Sequence, residues 1–186
     1  MKEGSLNKLP TLVFYVCLSF LFTSVYSQEV SAQDYDLNND EFSLMMPGKP
    51  EYNKQFAESL PNYHAYRVNV NNIDYFFLLM VRNASVRKGY EHQLLSLKGH
   101  SIGYNAGFIQ ESNQNGIKVN ITLDRDLKLN GFPGRQYRIV SGTEPGGVRF
   151  YVTDRFIYTL QVLGASETDD RVKEFFGSFT PRQRRR

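Results

Sequence analysis

Three histidines, His64, His92 and His100, are the side chains of this chain best suited to hold a metal or to move a proton near neutral pH. The surrounding pattern places His64 on a strand and the other two on one helix. His92 and His100 are eight residues apart, about 12 Å along a helix, which is too far to share one ion. No His, Asp or Glu grouping has zinc-enzyme spacing. We therefore expect structural or surface histidines.

A pair of acids, Asp124 and Asp126, flanks Arg125 and is the next candidate for chemistry. Such a pair can bind calcium weakly together with backbone carbonyls. An EF-hand loop requires further acidic or Asn positions and a terminal Glu, and these are missing. We expect no metal and no cofactor.

Nucleophilic catalysis has no recognisable motif here. There is no Gly-x-Ser-x-Gly sequence, and the one cysteine, Cys17, lies in an N-terminal segment that we expect to be removed. An exported small hydrolase would need a pocket around an ionisable group with a shifted pKa, and His64, His92 and Asp124 are the nearest candidates. We predict that the protein is not an enzyme.

Two glycine clusters interrupt the second half of the chain, at 131–134 and at 146–147. Neither has the Lys-Ser/Thr of a phosphate-binding loop or the strand-to-helix setting of a dinucleotide site. Both are predicted to serve turns between strands, the second within a loop over 142–147. Arg135 would present a fixed cation beside the first turn, or form a salt bridge with a neighbouring acid. Our candidate binding residues, near this turn, are Gly131, Phe132, Gly134 and Arg135.

The N-terminus has the pattern of a secretory signal peptide over residues 1–27. Basic residues come first, an apolar run extends over 9–22, and small and polar residues follow. Cleavage before Gln28 or before Gln33 fits. The alternative is an uncleaved anchor, although the run is shorter than the about 20 residues of a spanning helix. The pattern predicts a periplasmic or secreted protein, with residues 28–40 as a flexible leader.

The positive charge is concentrated at the other end of the chain. The formal net charge is +3, and setting aside the four arginines Arg182, Arg184, Arg185 and Arg186 makes it negative. Residues 181–186 therefore read as a basic disordered tail that can touch anionic membranes weakly. We expect no nucleic-acid partner, because export conflicts with a nuclear signal.

Hydrophobic periodicity divides the remainder into strands and two helices. The first helix is predicted over 87–104 with Ser85 as N-cap, and the second over 167–179 with Ser166 or Thr168 as cap. Strands are predicted over 41–46, 63–70, 73–81, 117–123, 127–130, 135–141, 148–153 and 155–163. This order indicates an α+β fold, a single domain over 41–180 with a mostly antiparallel sheet of six to seven strands flanked by two helices (an α/β/α sandwich).

Four pieces of this domain carry a resemblance to a known family. They are an opening strand with a Pro-Gly turn (42–50), a mid-chain helix, Gly-Phe-Pro-Gly-Arg (131–135), and a hairpin (150–160) before a helix that ends in Phe-Gly-Ser-Phe (176–179). Together they resemble small exported bacterial proteins with a PsbP-like α/β/α sandwich over most of 41–180. PsbP itself is a lumenal accessory subunit of photosystem II. The resemblance implies that sandwich fold and an accessory or binding role, and no photosystem-specific signature occurs here.

The sequence thus predicts an exported non-enzymatic accessory or binding domain that interacts with a protein or envelope component. Two alternatives remain open. One is an exported small hydrolase with an unrecognised site, and the other is a peripheral membrane protein that uses the arginine-rich tail.

Overall fold

The computed structural model describes residues 34–83 and 88–182, without the side chains of residues 55 and 56. Within these ranges the chain forms ten strands and three helices. The strands are β1 (Tyr35–Asn38), β2 (Phe42–Met46), β3 (Glu51–Tyr52), β4 (Tyr63–Val70), β5 (Ile73–Val81), β6 (Val119–Leu129), β7 (Phe132–Ser141), β8 (Glu144–Val152), β9 (Phe156–Leu163) and β10 (Thr180–Pro181). The helices are α1 (Lys54–Ser59), α2 (Tyr90–Gln114) and α3 (Asp170–Ser178).

Seven of the strands form one antiparallel sheet in the order β3-β4-β5-β9-β8-β7-β6. A second, small sheet has the order β1-β2-β10 and is also antiparallel. The predicted α+β class with a mostly antiparallel sheet is therefore confirmed. The hairpin β4–β5 has the predicted bounds, and Asn71 and Asn72 turn it with positive φ angles of 52° and 61°.

One face of the large sheet packs against α3 and the small sheet. Alternate residues of β5 and β9 contribute aromatic rings to this core, and Phe179 contacts both Phe77 and Tyr158. The small sheet adds Phe42, Leu44 and Met46. Because these central strands are buried on both faces, they read as nearly continuous apolar runs.

The opposite face packs against α2. Leu97, Tyr104 and Phe108 of the helix meet a sheet surface that includes Ile139 and Phe150. This interface also buries polar side chains that contact one another across it. His100 Nε2 lies 3.1 Å from Thr159 Oγ1, Tyr104 OH donates to Gln161 Oε1, and Tyr137 OH lies 3.1 Å from Ser101 Oγ.

Both long helices differ from their predicted bounds. Helix α2 runs ten residues beyond the predicted end at 104, because Phe108 and Ser112 are buried and keep its last turns on the sheet. It follows Gly89, and the predicted cap Ser85 lies outside the described residues. Helix α3 is capped by Asp169, whose side chain accepts a hydrogen bond from the backbone N–H of Arg171, instead of by Ser166 or Thr168.

The glycine-rich segments at 131–134 and 142–147 were expected to be turn and loop, and this was wrong for most of their residues. Strand β7 begins at Phe132 and β8 at Glu144, which leaves two-residue turns at 130–131 and 142–143. Gly134 and Gly147 are strand residues. Their missing side chains admit the Tyr151 ring and the Glu167 carboxylate, since an added Cβ would lie 2.5 Å and 2.7 Å from those groups.

The ends of the described chain are more ordered than predicted. Within the expected leader 28–40, Tyr35–Asn38 forms β1 and pairs with β2. Within the expected disordered tail 181–186, Pro181 pairs with Phe42 and the Arg182 N–H donates to the Glu41 carbonyl at 2.8 Å. The segment 51–61, expected as a connection, contains β3 and α1.

Residues 1–33 and 183–186 lie outside the described residues, and with them the predicted signal peptide and the last three arginines of the tail. Over the ranges 34–83 and 88–182, no helix combines the length and the apolar character that crossing a membrane requires.

Replacing Gly134 by Ala should destabilise the fold, because the new Cβ would meet the Tyr151 ring and the Phe150 carbonyl at 2.5 and 2.7 Å. Overpacking of this kind costs about 1–3 kcal/mol. Gly99→Ala in α2 is the matched control, because its Cβ meets nothing within 4 Å and alanine favours a helix by about 0.5–1 kcal/mol. In urea unfolding, the free energy of unfolding should therefore decrease for G134A and increase for G99A. Equal changes in the two variants would contradict this packing.

Candidate functional site

Polar and charged side chains form rows across β6, β7 and β8 on the α3 side of the large sheet. Arg125, Gln136 and Arg149 are register partners in one row. The adjoining row places Arg138 between Thr122 and Gly147. Side chains at such cross-strand positions are close neighbours, so a polar patch forms where the apolar core under α3 ends.

Gln136 is the centre of this patch and is 0% exposed. Its Nε2 donates to Asp124 Oδ2 at 2.7 Å and also to Glu167 Oε2. Its Oε1 accepts a hydrogen bond of 3.3 Å from Arg125 Nη2. One buried amide thus holds two carboxylates and one guanidinium together. We call this group the arginine–carboxylate cluster, and its members are Asp124, Arg125, Gln136, Arg138, Arg149 and Glu167.

Asp124 reaches the cluster because β6 contains a bulge. The register passes from Leu123↔Tyr137 to Arg125↔Gln136, so Asp124 is the extra, unpaired residue. A bulge re-aims the side chain that it carries. The Asp124 carboxylate lies 3.6 Å from Arg138 Nη2 and 3.9 Å from Arg125 Nε. The two guanidinium side chains are 70% and 58% exposed.

Glu167 enters the cluster from the segment between β9 and α3. Its Oε1 is buried and has no hydrogen-bond partner among the residues that the structure describes. The room for this atom comes from Gly147, where a Cβ would lie 2.7 Å from Oε1. Burial raises the pKa of Glu167; the charge of Asp124 adds to this increase, while Arg149 and the other arginines oppose it.

Arg149 forms the inner wall of the cluster. Its guanidinium lies over the Phe176 ring of α3, 4.4 Å from the ring centroid. Its Nε is buried and, within the described part of the chain, has no hydrogen-bond partner. Three guanidinium groups therefore face two carboxylates, and one donor and one acceptor are unused. The excess of one guanidinium group over the carboxylates gives the cluster a positive charge that can attract an additional anionic group.

The residues predicted as a binding site, 131–135, occupy several different environments. Gly131 lies in the β6–β7 turn, Phe132 is buried, and Gly134 faces the Tyr151 ring. Arg135 forms a salt bridge of 3.1 Å with Asp126, its register partner on β6. Because residues alternate along β7, Arg135 faces the α2 side and Gln136 the α3 side. The structure thus places Arg135 and the arginine–carboxylate cluster on opposite faces.

The three candidate histidines lie on two elements, His64 on β4 and His92 and His100 on α2. His64 Nδ1 lies 2.9 Å from the Tyr52 hydroxyl, and the two rings stack. His100 contacts Thr159, and desolvation lowers its pKa to about 4. His92 lies on α2. Across residues 34–83 and 88–182, no group of three or more His, Cys, Asp or Glu side chains is arranged to hold a metal ion.

Four members of the cluster were missed from the sequence: Gln136, Arg138, Arg149 and Glu167. Gln136 and Arg138 alternate with Tyr137 and Ile139, so their shared face was readable from the strand pattern. Glu167 was assigned to the start of a helix. Its contact with Gln136, 31 residues away, depends on the path of the chain after β9 and leaves no local signal.

Comparison with solved structures finds cyanobacterial PsbP (CyanoP) from Synechocystis sp. PCC 6803. The two chains share 12% identity and superpose with a TM-score of 0.49, over 86% of this chain and 99% of that chain. This solved structure belongs to the family that the sequence motifs resemble. No protein-family model and no curated protein matches the chain.

Replacing Glu167 by Gln should change how stability depends on pH. A carboxyl with a raised folded-state pKa contributes stability that is present at low pH and is lost as the pH rises from its usual value through the folded value. Wild type should therefore lose stability relative to E167Q as the pH rises above about 4, the usual pKa of a glutamate, and through the raised pKa of folded Glu167. Urea unfolding at several pH values measures this. Glu174→Gln, at an exposed position of α3, is the control, and parallel curves for wild type and E167Q would contradict burial of Glu167.

Proposed function

We propose that this chain is an exported, non-enzymatic accessory or binding domain that docks a protein or envelope partner on the arginine–carboxylate cluster and the sheet surface beside it. The observation that carries the proposal is the cluster itself. It presents two exposed arginines, Arg125 and Arg138, and contains three guanidinium groups against two carboxylates. Export rests on the signal pattern of residues 1–27.

The described residues leave the sheet surface beside the cluster exposed, whereas α3 and the small sheet cover the central part of this face. Val140 is 40% exposed, and its register partners, Asn120 on β6 and Pro145 on β8, are exposed as well. Thr122 is also exposed. We call this surface the open face; its residues are Asn120, Thr122, Arg125, Arg138, Val140 and Pro145. A mixed surface of apolar and arginine side chains is typical of protein interfaces.

Among the described residues, strand β6 forms the outer edge of the open face. It is the terminal strand of the large sheet and is 11 residues long, whereas β3 at the other edge has two residues. Long edge strands offer backbone groups to a partner, and bulges and charges limit unspecific pairing. The bulge at Asp124 and the charges of Arg125 and Asp126 meet that description.

The contacts of Asp124 support binding over hydrolysis. A hydrolase would need a base or nucleophile beside this carboxylate, and its described partners are the Gln136 amide and two guanidinium groups. The membrane alternative relies on the tail arginines. One of them, Arg182, donates from Nη1 to the Asn39 carbonyl at 2.7 Å, and its backbone N–H binds Glu41.

A capture experiment tests the proposal. Full-length protein would be crosslinked in the envelope fraction of its source organism, and captured proteins identified by mass spectrometry. Val140→Arg should abolish capture of one saturable partner, because a long charged side chain then blocks the open face. Arg135→Gln, on the other face, tests the binding site predicted around 131–135.

The outcomes separate the two surfaces. If only V140R abolishes capture of the partner, the open face is the binding surface. If only R135Q abolishes capture, the binding surface lies on the α2 side of the β6–β7 hairpin. Capture that neither variant changes would contradict a binding role for either surface. Thermal unfolding of both variants should match wild type, since Val140 and Arg135 lie at exposed or half-exposed positions.

A further inference from the structure

We propose that the partner presents a carboxylate side chain from an acidic polypeptide segment, which binds between Arg125 and Arg138 in competition with Asp124. This inference rests on the proposed function and names the chemistry of the partner. Asp124 acts as an internal substitute that occupies the arginine pair while the open face is empty.

The arginine pair is incompletely satisfied by Asp124. The shortest distances from the Asp124 carboxylate are 3.6 Å to Arg138 and 3.9 Å to Arg125, which exceed hydrogen-bond length. The salt bridge between Arg67 and Asp74 on β4 and β5 shows the contrast. There, Nε and Nη2 of Arg67 donate to the two carboxylate oxygens at 3.0 Å each. A second carboxylate can therefore form hydrogen bonds with Arg125 and Arg138 that Asp124 does not form.

Asp124 can lose its contacts with Arg125 and Arg138 without becoming an unpaired buried charge. Its side chain is 31% exposed, and it comes from the bulged position of β6, where no register partner constrains it. Its hydrogen bond from Gln136 Nε2, at 2.7 Å, remains when the arginines turn to another anion. The rearrangement moves two exposed arginine side chains, and at Arg125 it exchanges the 3.3 Å hydrogen bond to Gln136 Oε1 for contact with the new carboxylate.

The charge of the cluster favours a carboxylate over a phosphate. Three guanidinium groups face Asp124 and Glu167, so one positive charge is unmatched, which a singly charged carboxylate neutralises. A phosphate dianion would experience added repulsion from both acids. The apolar Val140 and Pro145 alongside can contact the neighbouring side chains of an extended peptide.

Fluorescence anisotropy with a labelled glutamate-rich peptide and the full-length chain tests this inference. A peptide with Gln at every Glu position is the charge control. Arg125→Gln and Arg138→Gln should each weaken binding about two- to fivefold, the range for an exposed charge pair. Asp124→Asn should strengthen it by a similar factor, because the competing charge is removed while an oxygen remains for Gln136. Arg171→Gln on α3, which makes the same change in net charge, should leave binding unchanged.

Each result supports or overturns the inference. Equal losses of peptide affinity in R138Q and R171Q, or no increase of peptide affinity in D124N, would overturn it. Competition by free glutarate at the peptide's own concentration would overturn the polypeptide as the source of the carboxylate. Stronger binding to vesicles of phosphatidylserine and phosphatidylcholine that is lost with R138Q would overturn it in favour of a lipid surface. If V140R abolishes partner capture while R125Q and R138Q do not, the proposed function stands and the carboxylate is wrong.

Discussion

Burial of β5 and β9 on both faces is the constraint on which this structure depends. Apolar side chains of both strands point to both faces of the sheet, so a covering layer on one face alone would leave the other face exposed to water. Helix α2 covers one face, and α3 with the small sheet covers the other. Both ends of the described residues contribute to the second layer, because β1, β2 and β10 form that small sheet.

The candidate site lies where this double cover stops. Phe176 of the apolar core beneath α3 contacts the Arg149 guanidinium, and the outer strands β6 and β7 carry the polar side chains Arg125, Gln136 and Arg138 on the same face. At this border, groups such as Gln136 and Arg149 are buried by the neighbouring core and need polar partners. The position of the cluster thus follows from how far α3 and the small sheet extend across the large sheet.

Glycine has a different role in this protein from the one that local sequence suggests. Gly131 serves a turn, as expected, with a φ of 86°. Gly134 and Gly147 lie within strands, and each leaves space for a specific side chain from elsewhere in the fold. A short segment rich in Gly and Pro has a similar composition whether it forms a turn or part of a strand. Only the side chain that packs against the glycine distinguishes the two.

The sequence by itself determined the fold class, the hairpin β4–β5 and the approximate positions of the long helices. These features follow from local periodicity and from turn residues such as Asn71 and Asn72, which act over a few residues. Tertiary structure decided the extension of α2, the strands at both ends of the described residues and the assembly of the cluster. Each of these depends on contacts between distant residues, such as Gln136 with Glu167 and Phe42 with Pro181, and no local pattern encodes such pairs.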